Sequence, residues 1–219
     1  MQRLRRHDLV WLRAGAPIEP GPCCVDTADE VAHWRAAGLP LVCARGDGLP
    51  GDRVRLGLTL PGIGTRRRVS LVAARADILR SAAPPPLASL ADTLPAAFAA
   101  PMRALALQCG ALGITPRVYG SLLWQWLSGE PCLRADSDID LLFELDDAAA
   151  LPALLVLLRN AGSLMRVDGE VRCGAHAVAW RELAAALDGN APRRVLAKSD
   201  EGIALLDVGD LWPARSRAA

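Results

Sequence analysis

The chain of 219 residues is long enough to bury one large core or two small ones. With 52% hydrophobic and 22% charged residues it is too apolar and too balanced for a disordered segment. A net charge of +1 argues against non-specific nucleic-acid binding, and no window approaches the roughly 18 uninterrupted apolar residues of a membrane span.

The first apolar element is Asp8 to Leu12, preceded by Arg3, Arg5 and Arg6. It is too short for a signal-peptide core, so the expected compartment is cytoplasmic. After a loop from Pro17 to Pro22, Thr27 with Glu30 three residues on reads as a capping box. The helix it opens carries Val31 and Trp34 on one face and stops at Gly38, with Pro40 beyond. Leu41 to Ala44 is an expected strand. Val54, Leu56, Leu58 and Leu60 alternate with Arg55, Gly57 and Thr59, the period of a half-buried strand. Gly62 to Thr65 turns the chain, and Arg68 to Val72 pairs back as a hairpin. The prolines at 84, 85 and 86 mark a linker, because consecutive prolines stay extended and cannot continue a helix. The expected organisation is a small α+β domain over 1–83, a Pro-rich linker over 84–90 and a second domain over 91–219.

Beyond the linker an Ala/Leu-rich helical region runs from about Asp92 to Leu112, with Pro95 and Pro101 suited to first turns of helices. The expected order is then a strand Arg117 to Tyr119, a Gly120-Ser121 turn, a helix Leu122 to Leu127, and a strand Asp138 to Leu145. A helix Ala148 to Asn160, ending at Gly162, precedes a strand Leu164 to Cys173. A short element Ala177 to Trp180, a helix Glu182 to Leu187 and strands Arg194 to Lys198 and Ile203 to Leu206 complete the chain, with a frayed tail beyond Trp212.

Cys23, Cys24, Cys43, Cys109, Cys132 and Cys173 show neither a Cys-x-x-Cys spacing nor a cluster with His7, His33 or His176. They read as small buried hydrophobes rather than disulfides or zinc ligands. Lys198 is the only lysine among 25 basic residues, and an ammonium is a compact phosphate-binding charge that Arg replaces imperfectly.

The chemistry concentrates in Asp138-Ile139-Asp140. Strand side chains alternate faces, so both carboxylates point the same way. Two like charges held side by side suit a divalent cation such as Mg²⁺, which takes oxygen ligands and substrate phosphates. Tyr119-Gly120-Ser121, a spacer of sixteen residues (122–137), and Asp138-Ile139-Asp140-Leu141 together resemble the nucleotidyltransferase superfamily of DNA polymerase beta and the antibiotic adenylyltransferases. That resemblance implies a C-terminal polymerase beta-like mixed sheet flanked by helices, behind the N-terminal α+β domain. It implies that Gly120 and Ser121 bind substrate phosphate and that Asp138 and Asp140 bind Mg²⁺. A third carboxylate would follow on a later strand, either Asp168 or Glu170. Asp168-Gly169 is also a turn signal. Lys198 would be a phosphate ligand or simply a surface lysine.

A closer resemblance covers nearly the whole chain. It rests on His7-Asp8-Leu9-Val10, Gly38-Leu39-Pro40-Leu41-Val42, Pro84-Pro85-Pro86-Leu87 and Tyr119-Gly120-Ser121-Leu122-Leu123-Trp124-Gln125. Ser137-Asp138-Ile139-Asp140-Leu141-Leu142, Asp168-Gly169-Glu170, Trp180-Arg181-Glu182-Leu183 and Val195-Leu196-Ala197-Lys198 complete it. In these the chain is similar to the malonate decarboxylase holo-[acyl-carrier-protein] synthases, which are phosphoribosyl-dephospho-CoA transferases. The resemblance implies transfer of a phosphoribosyl-dephospho-CoA group from 2′-(5″-triphosphoribosyl)-3′-dephospho-CoA to a serine of the malonate decarboxylase acyl-carrier protein, with pyrophosphate leaving. The alternatives are an adenylyltransferase that uses ATP, or a non-catalytic homologue that only binds the carrier. Arg66 to Arg68 would offer an acidic carrier a docking patch. Of Trp124 and Trp126, which diverge on a helix, one would be core and the other would stack on adenine.

Overall fold

The computed structural model describes residues 3–21, 27–60, 67–94, 96–134, 137–164, 166–189 and 193–212. Cys23, Cys24, the expected turn at Gly62 to Thr65, Arg66, Pro95 and the tail beyond Trp212 lie outside them. The fold is α+β, with two six-stranded sheets among the described residues. The chain divides into two compact units. One comprises Met1–Pro84, Leu123–Arg134 and Asp200–Gly202; the other comprises Pro85–Leu122, Ala135–Ser199 and Ile203–Ala219.

In the first unit the strands are β1 (Leu9–Leu12), β2 (Glu19–Pro20), β3 (Leu41–Cys43), β4 (Arg53–Leu60), β5 (Arg67–Ala74) and β6 (Ile78–Ala82). Their order is β2-β5-β4-β3-β1-β6, with every pair antiparallel. The alternation in β4 is realised in full: Val54, Leu56, Leu58 and Leu60 are buried and the intervening residues are half-buried. Helix α1 (Ala28–Ala36) sends Val31 and Trp34 into that core and ends before Gly38, whose φ of +72° only glycine adopts freely. The capping box does not form. Thr27 makes no side-chain cap bond, and the Glu30 side chain is engaged by Arg67 at 2.6 Å. Strand β6 takes up Ser81 and Ala82, just ahead of the proline segment, and pairs them with Val10 and Leu9. Trp124 also joins this core, edge-on to Trp34 with ring centroids 5.7 Å apart.

In the second unit the proline segment is bonded rather than free. Val118 donates to the Pro85 carbonyl at 2.9 Å and Leu87 donates to that of Pro116 at 2.8 Å. Leu87 and Leu90, in a 3₁₀ segment over Leu87–Thr93, are buried. Helix α2 (Ala96–Ala111) holds Pro101 in its interior rather than its first turn, which costs the helix one backbone bond. Then follow β7 (Arg117–Val118), α3 (Gly120–Ser128), β8 (Ile139–Leu145), α4 (Leu151–Leu164), β9 (Val167–Cys173), β10 (His176–Ala179), α5 (Trp180–Leu187), β11 (Arg194–Lys198) and β12 (Ile203–Asp207). Gly162 lies inside α4 instead of ending it. The sheet order is β12-β11-β10-β9-β8-β7, and it is mixed, since β8 and β9 run parallel while their neighbours are antiparallel. Ile139, Leu141 and Phe143 on one face of β8 are fully buried, which leaves Asp138, Asp140 and Glu144 to the other face.

Candidate active site

The site begins where β7 hands over to α3. Gly120 has φ +66° and is the first residue of the helix, so the Gly-Ser pair opens a helix rather than forming a separate turn. The backbone there presses against β8. The Tyr119 N–H donates to the Asp140 carbonyl at 3.1 Å, and a Cβ on Gly120 would fall 1.9 Å from Asp140 Oδ2. Only glycine allows both that φ and that approach. Ser121 follows, 8% exposed, with no hydrogen-bond partner for its hydroxyl among the described residues. A helix start beside a carboxylate pair presents N–H groups where a metal-bound phosphate could be received.

Asp140 is the register partner of Asp168 in the parallel β8–β9 pair. Neighbouring strands lie about 4.8 Å apart, so these two side chains emerge side by side on one face. Asp138 precedes β8 on the same face and is clasped by Arg166, with Nε–Oδ1 2.7 Å and Nη2–Oδ2 3.4 Å. Both partners are well exposed, 66% and 40%, so the pair is worth at most about 1 kcal/mol and does not exclude a cation from Asp138.

Glu170 follows two residues after Asp168 on the same strand and differs from it in burial. It is 5% exposed, and Lys198 Nζ donates to its Oε1 at 2.9 Å. A carboxylate that deep needs a cation, and Lys198 provides it. The two residues are thus brought together as an ion pair. Between Asp168 and Glu170, Gly169 has φ +144°, and a Cβ on it would sit 1.9 Å from the Leu141 carbonyl oxygen. The Asp-Gly step is therefore a mid-strand close approach and not a hairpin turn.

The donor set suits Mg²⁺. Hard carboxylate oxygens from Asp138 and Asp140 share a face, Asp168 is alongside, and Gly120 clears space against Asp140. Among the described residues no three His, Cys, Asp or Glu side chains enclose a metal position. One or two carboxylates completed by water and substrate phosphate is the usual Mg²⁺ arrangement, in contrast to an all-protein cage.

Arg181 and Glu182 make contacts within the fold. Arg181 donates to the Val167 carbonyl at 2.9 Å and lies over Trp180, and Glu182 accepts from the Leu196 N–H at 2.7 Å. They fasten α5 to β9 and β11. Trp124 is core, while Trp126 is 37% exposed. Cys43, Cys109, Cys132 and Cys173 are free thiols, and burial pushes Cys109 up to about 11 and Cys173 up to about 12. Arg166 was missed by sequence reasoning. Its only signal was its position, two residues before Asp168 on the same strand face.

Comparison with known proteins adds a family. The model described as phosphoribosyl-dephospho-CoA transferase MdcG N-terminal domain matches residues 5–84, and the corresponding C-terminal domain model matches residues 86–209. The chain is 39% identical over 221 residues to a phosphoribosyl-dephospho-CoA transferase of Xanthomonas campestris pv. campestris (strain 8004), covering 97% of this chain and 99% of the relative. It is 29% identical over 211 residues to one of Bradyrhizobium diazoefficiens, covering 92% and 89%. No solved structure matches.

Proposed function

The chain belongs to the phosphoribosyl-dephospho-CoA transferase family and is a transferase, and on that premise we propose that it modifies a serine of the malonate decarboxylase acyl-carrier protein. The donor is 2′-(5″-triphosphoribosyl)-3′-dephospho-CoA, and the group installed is phosphoribosyl-dephospho-CoA. The serine oxygen forms a bond to the α-phosphorus while the bond from that phosphorus to the β-phosphate oxygen breaks, releasing pyrophosphate. The proton of the serine hydroxyl passes to a carboxylate.

The observation that carries this reading is the shared face of Asp138 and Asp140, with Gly120 against one carboxylate and Asp168 in register beside it. It fits a polymerase beta-like nucleotidyltransferase arrangement. Mg²⁺ on Asp138 and Asp140 would offset charge on the triphosphate and on the departing pyrophosphate. The start of α3, with the Ser121 hydroxyl, receives phosphate oxygens. Asp168 takes the proton, because it is the half-exposed carboxylate next to Asp140, whereas Glu170 is committed to Lys198. Glu170 is then a positioning residue: it holds the ammonium of Lys198, the phosphate ligand. The protein contributes mainly placement and fixed charge. No helix among the described residues is long and apolar enough to cross a membrane.

The test is the intact mass of the apo-carrier after incubation with this chain, Mg²⁺ and either the triphosphoribosyl donor or ATP. A single addition of phosphoribosyl-dephospho-CoA on one serine, from the donor alone, supports the proposal. Labelling from ATP alone would make the chain an adenylyltransferase. Carrier binding with no covalent change would make it a binding homologue.

A further inference from the structure

A second site stands in the first unit, in a cavity of about 370 Å³. It is within the size range of small-molecule pockets. Four arginines line it, and they divide into two kinds. Arg3 is paired with Asp200 at 3.7 Å and Arg53 with Glu19 at 2.6 Å. Arg55 and Arg75 line the same cavity half-buried, and neither side chain has a hydrogen bond or ion pair among the described residues. Asp200 and Glu201 line it too, but Asp200 is occupied: its carboxylate accepts from the Arg6 N–H at 2.9 Å and pairs with Arg3.

Arg55 and Arg75 are therefore half-buried guanidinium groups without a partner among the described residues. Each has five N–H donors, and losing part of its hydration costs free energy that an anion would return. Two such forks in one cavity match two negative groups, and the planar fork suits phosphate oxygens. Gly46, Gly48 and Gly51, from the loop between β3 and β4, line the same cavity. A Cβ at Gly48 or Gly51 would meet nothing within 4 Å, so this backbone is open to a ligand.

We propose that Arg55 and Arg75 form a binding site for a diphosphate group, separate from the carboxylates that carry out transfer. The diphosphate can come from the ester of a CoA-type molecule or from free pyrophosphate. The site does not depend on the transfer chemistry or on a metal.

The test is calorimetric titration of the full chain in EDTA with dephospho-CoA, pyrophosphate and pantetheine, the last lacking any phosphate. Binding of dephospho-CoA or of pyrophosphate, but not of pantetheine, is expected; whichever binds identifies the source. Arg55→Gln and Arg75→Gln should each weaken it roughly tenfold, the loss of one charge-assisted contact. Asp138→Asn should leave it unchanged, so failure here and failure of the transfer reading are separate results. Failure of both phosphates to bind would overturn the proposal. So would pantetheine binding equally well, affinity untouched by both arginine variants in chains that keep the wild-type circular dichroism, or a site that takes only the intact carrier protein.

Discussion

Replacing Lys198 by Met separates the two parts this residue plays. The Glu170 side chain is 7% exposed and that of Lys198 31%, so removing the ammonium strands a carboxylate in a mostly dry place. Breaking a fully buried pair costs about 3–5 kcal/mol; with one partner partly wet, about 2–3 kcal/mol is expected. Hydrogen exchange by mass spectrometry reads this in β9, β10 and β11 without interference from the first unit. Protection governed by opening at the pair should fall roughly 30- to 150-fold. The double variant Glu170→Gln with Lys198→Met should recover at least about 1 kcal/mol, because the stranded charge is gone. If Lys198 is the phosphate ligand proposed above, transfer activity should be lost in both. Unchanged protection in Lys198→Met, or a double variant as unstable as the two single losses added, would refute the view that Glu170 exists to hold Lys198.

Gly120→Ala meets two obstacles, a φ of +66° and a Cβ 1.9 Å from Asp140 Oδ2; the φ alone costs about 1–2 kcal/mol, and displacing the carboxylate should cut transfer at least about 100-fold by steady-state assay. Gly169→Ala drives a Cβ into the Leu141 backbone oxygen, which cannot rotate away, so a loss of about 3 kcal/mol or more in stability and poor soluble yield are expected. For the thiols, a folded value of about 12 for Cys173 against an ordinary 9.0 means that the folded chain keeps its proton longer than the unfolded chain. Its contribution to stability is therefore whole below pH 9.0 and is lost as pH rises toward about 12. Denaturation midpoints measured across that window should fall less steeply in Cys173→Ala, and neither Cys109 nor Cys173 should react with iodoacetamide in the native chain at pH 8, roughly the ordinary thiol range.

Features that depend on local periodicity were legible in the chain. The alternation from Val54 to Leu60 located β4, and Asp138-x-Asp140 behind Gly120-Ser121 marked a strand whose paired carboxylates share a face. Features that depend on distant partners were not. Strand β6 has no alternation of its own and exists because Ser81 and Ala82 pair with Val10 and Leu9. The parallel register that sets Asp168 beside Asp140 could not be read from either strand alone. Nor could the surroundings of Asp168 and Glu170 be told apart in sequence: an i, i+2 pair on one face looks equivalent until Lys198, 28 residues on, pairs with Glu170. Local rules also lost to tertiary contacts. Glu30 pairs with Arg67 and the cap box of α1 does not form, and packing keeps Pro101 and Gly162 within helices.

The most direct measurement of the central claim is the single-turnover rate of carrier modification, followed by intact mass, for the wild type and Asp140→Asn. The account predicts one phosphoribosyl-dephospho-CoA group per carrier from the wild type with Mg²⁺. It predicts a rate lower by at least about 10³-fold for Asp140→Asn, in a chain whose hydrogen exchange is otherwise unaltered. Wild-type transfer by a correctly folded Asp140→Asn chain would contradict it.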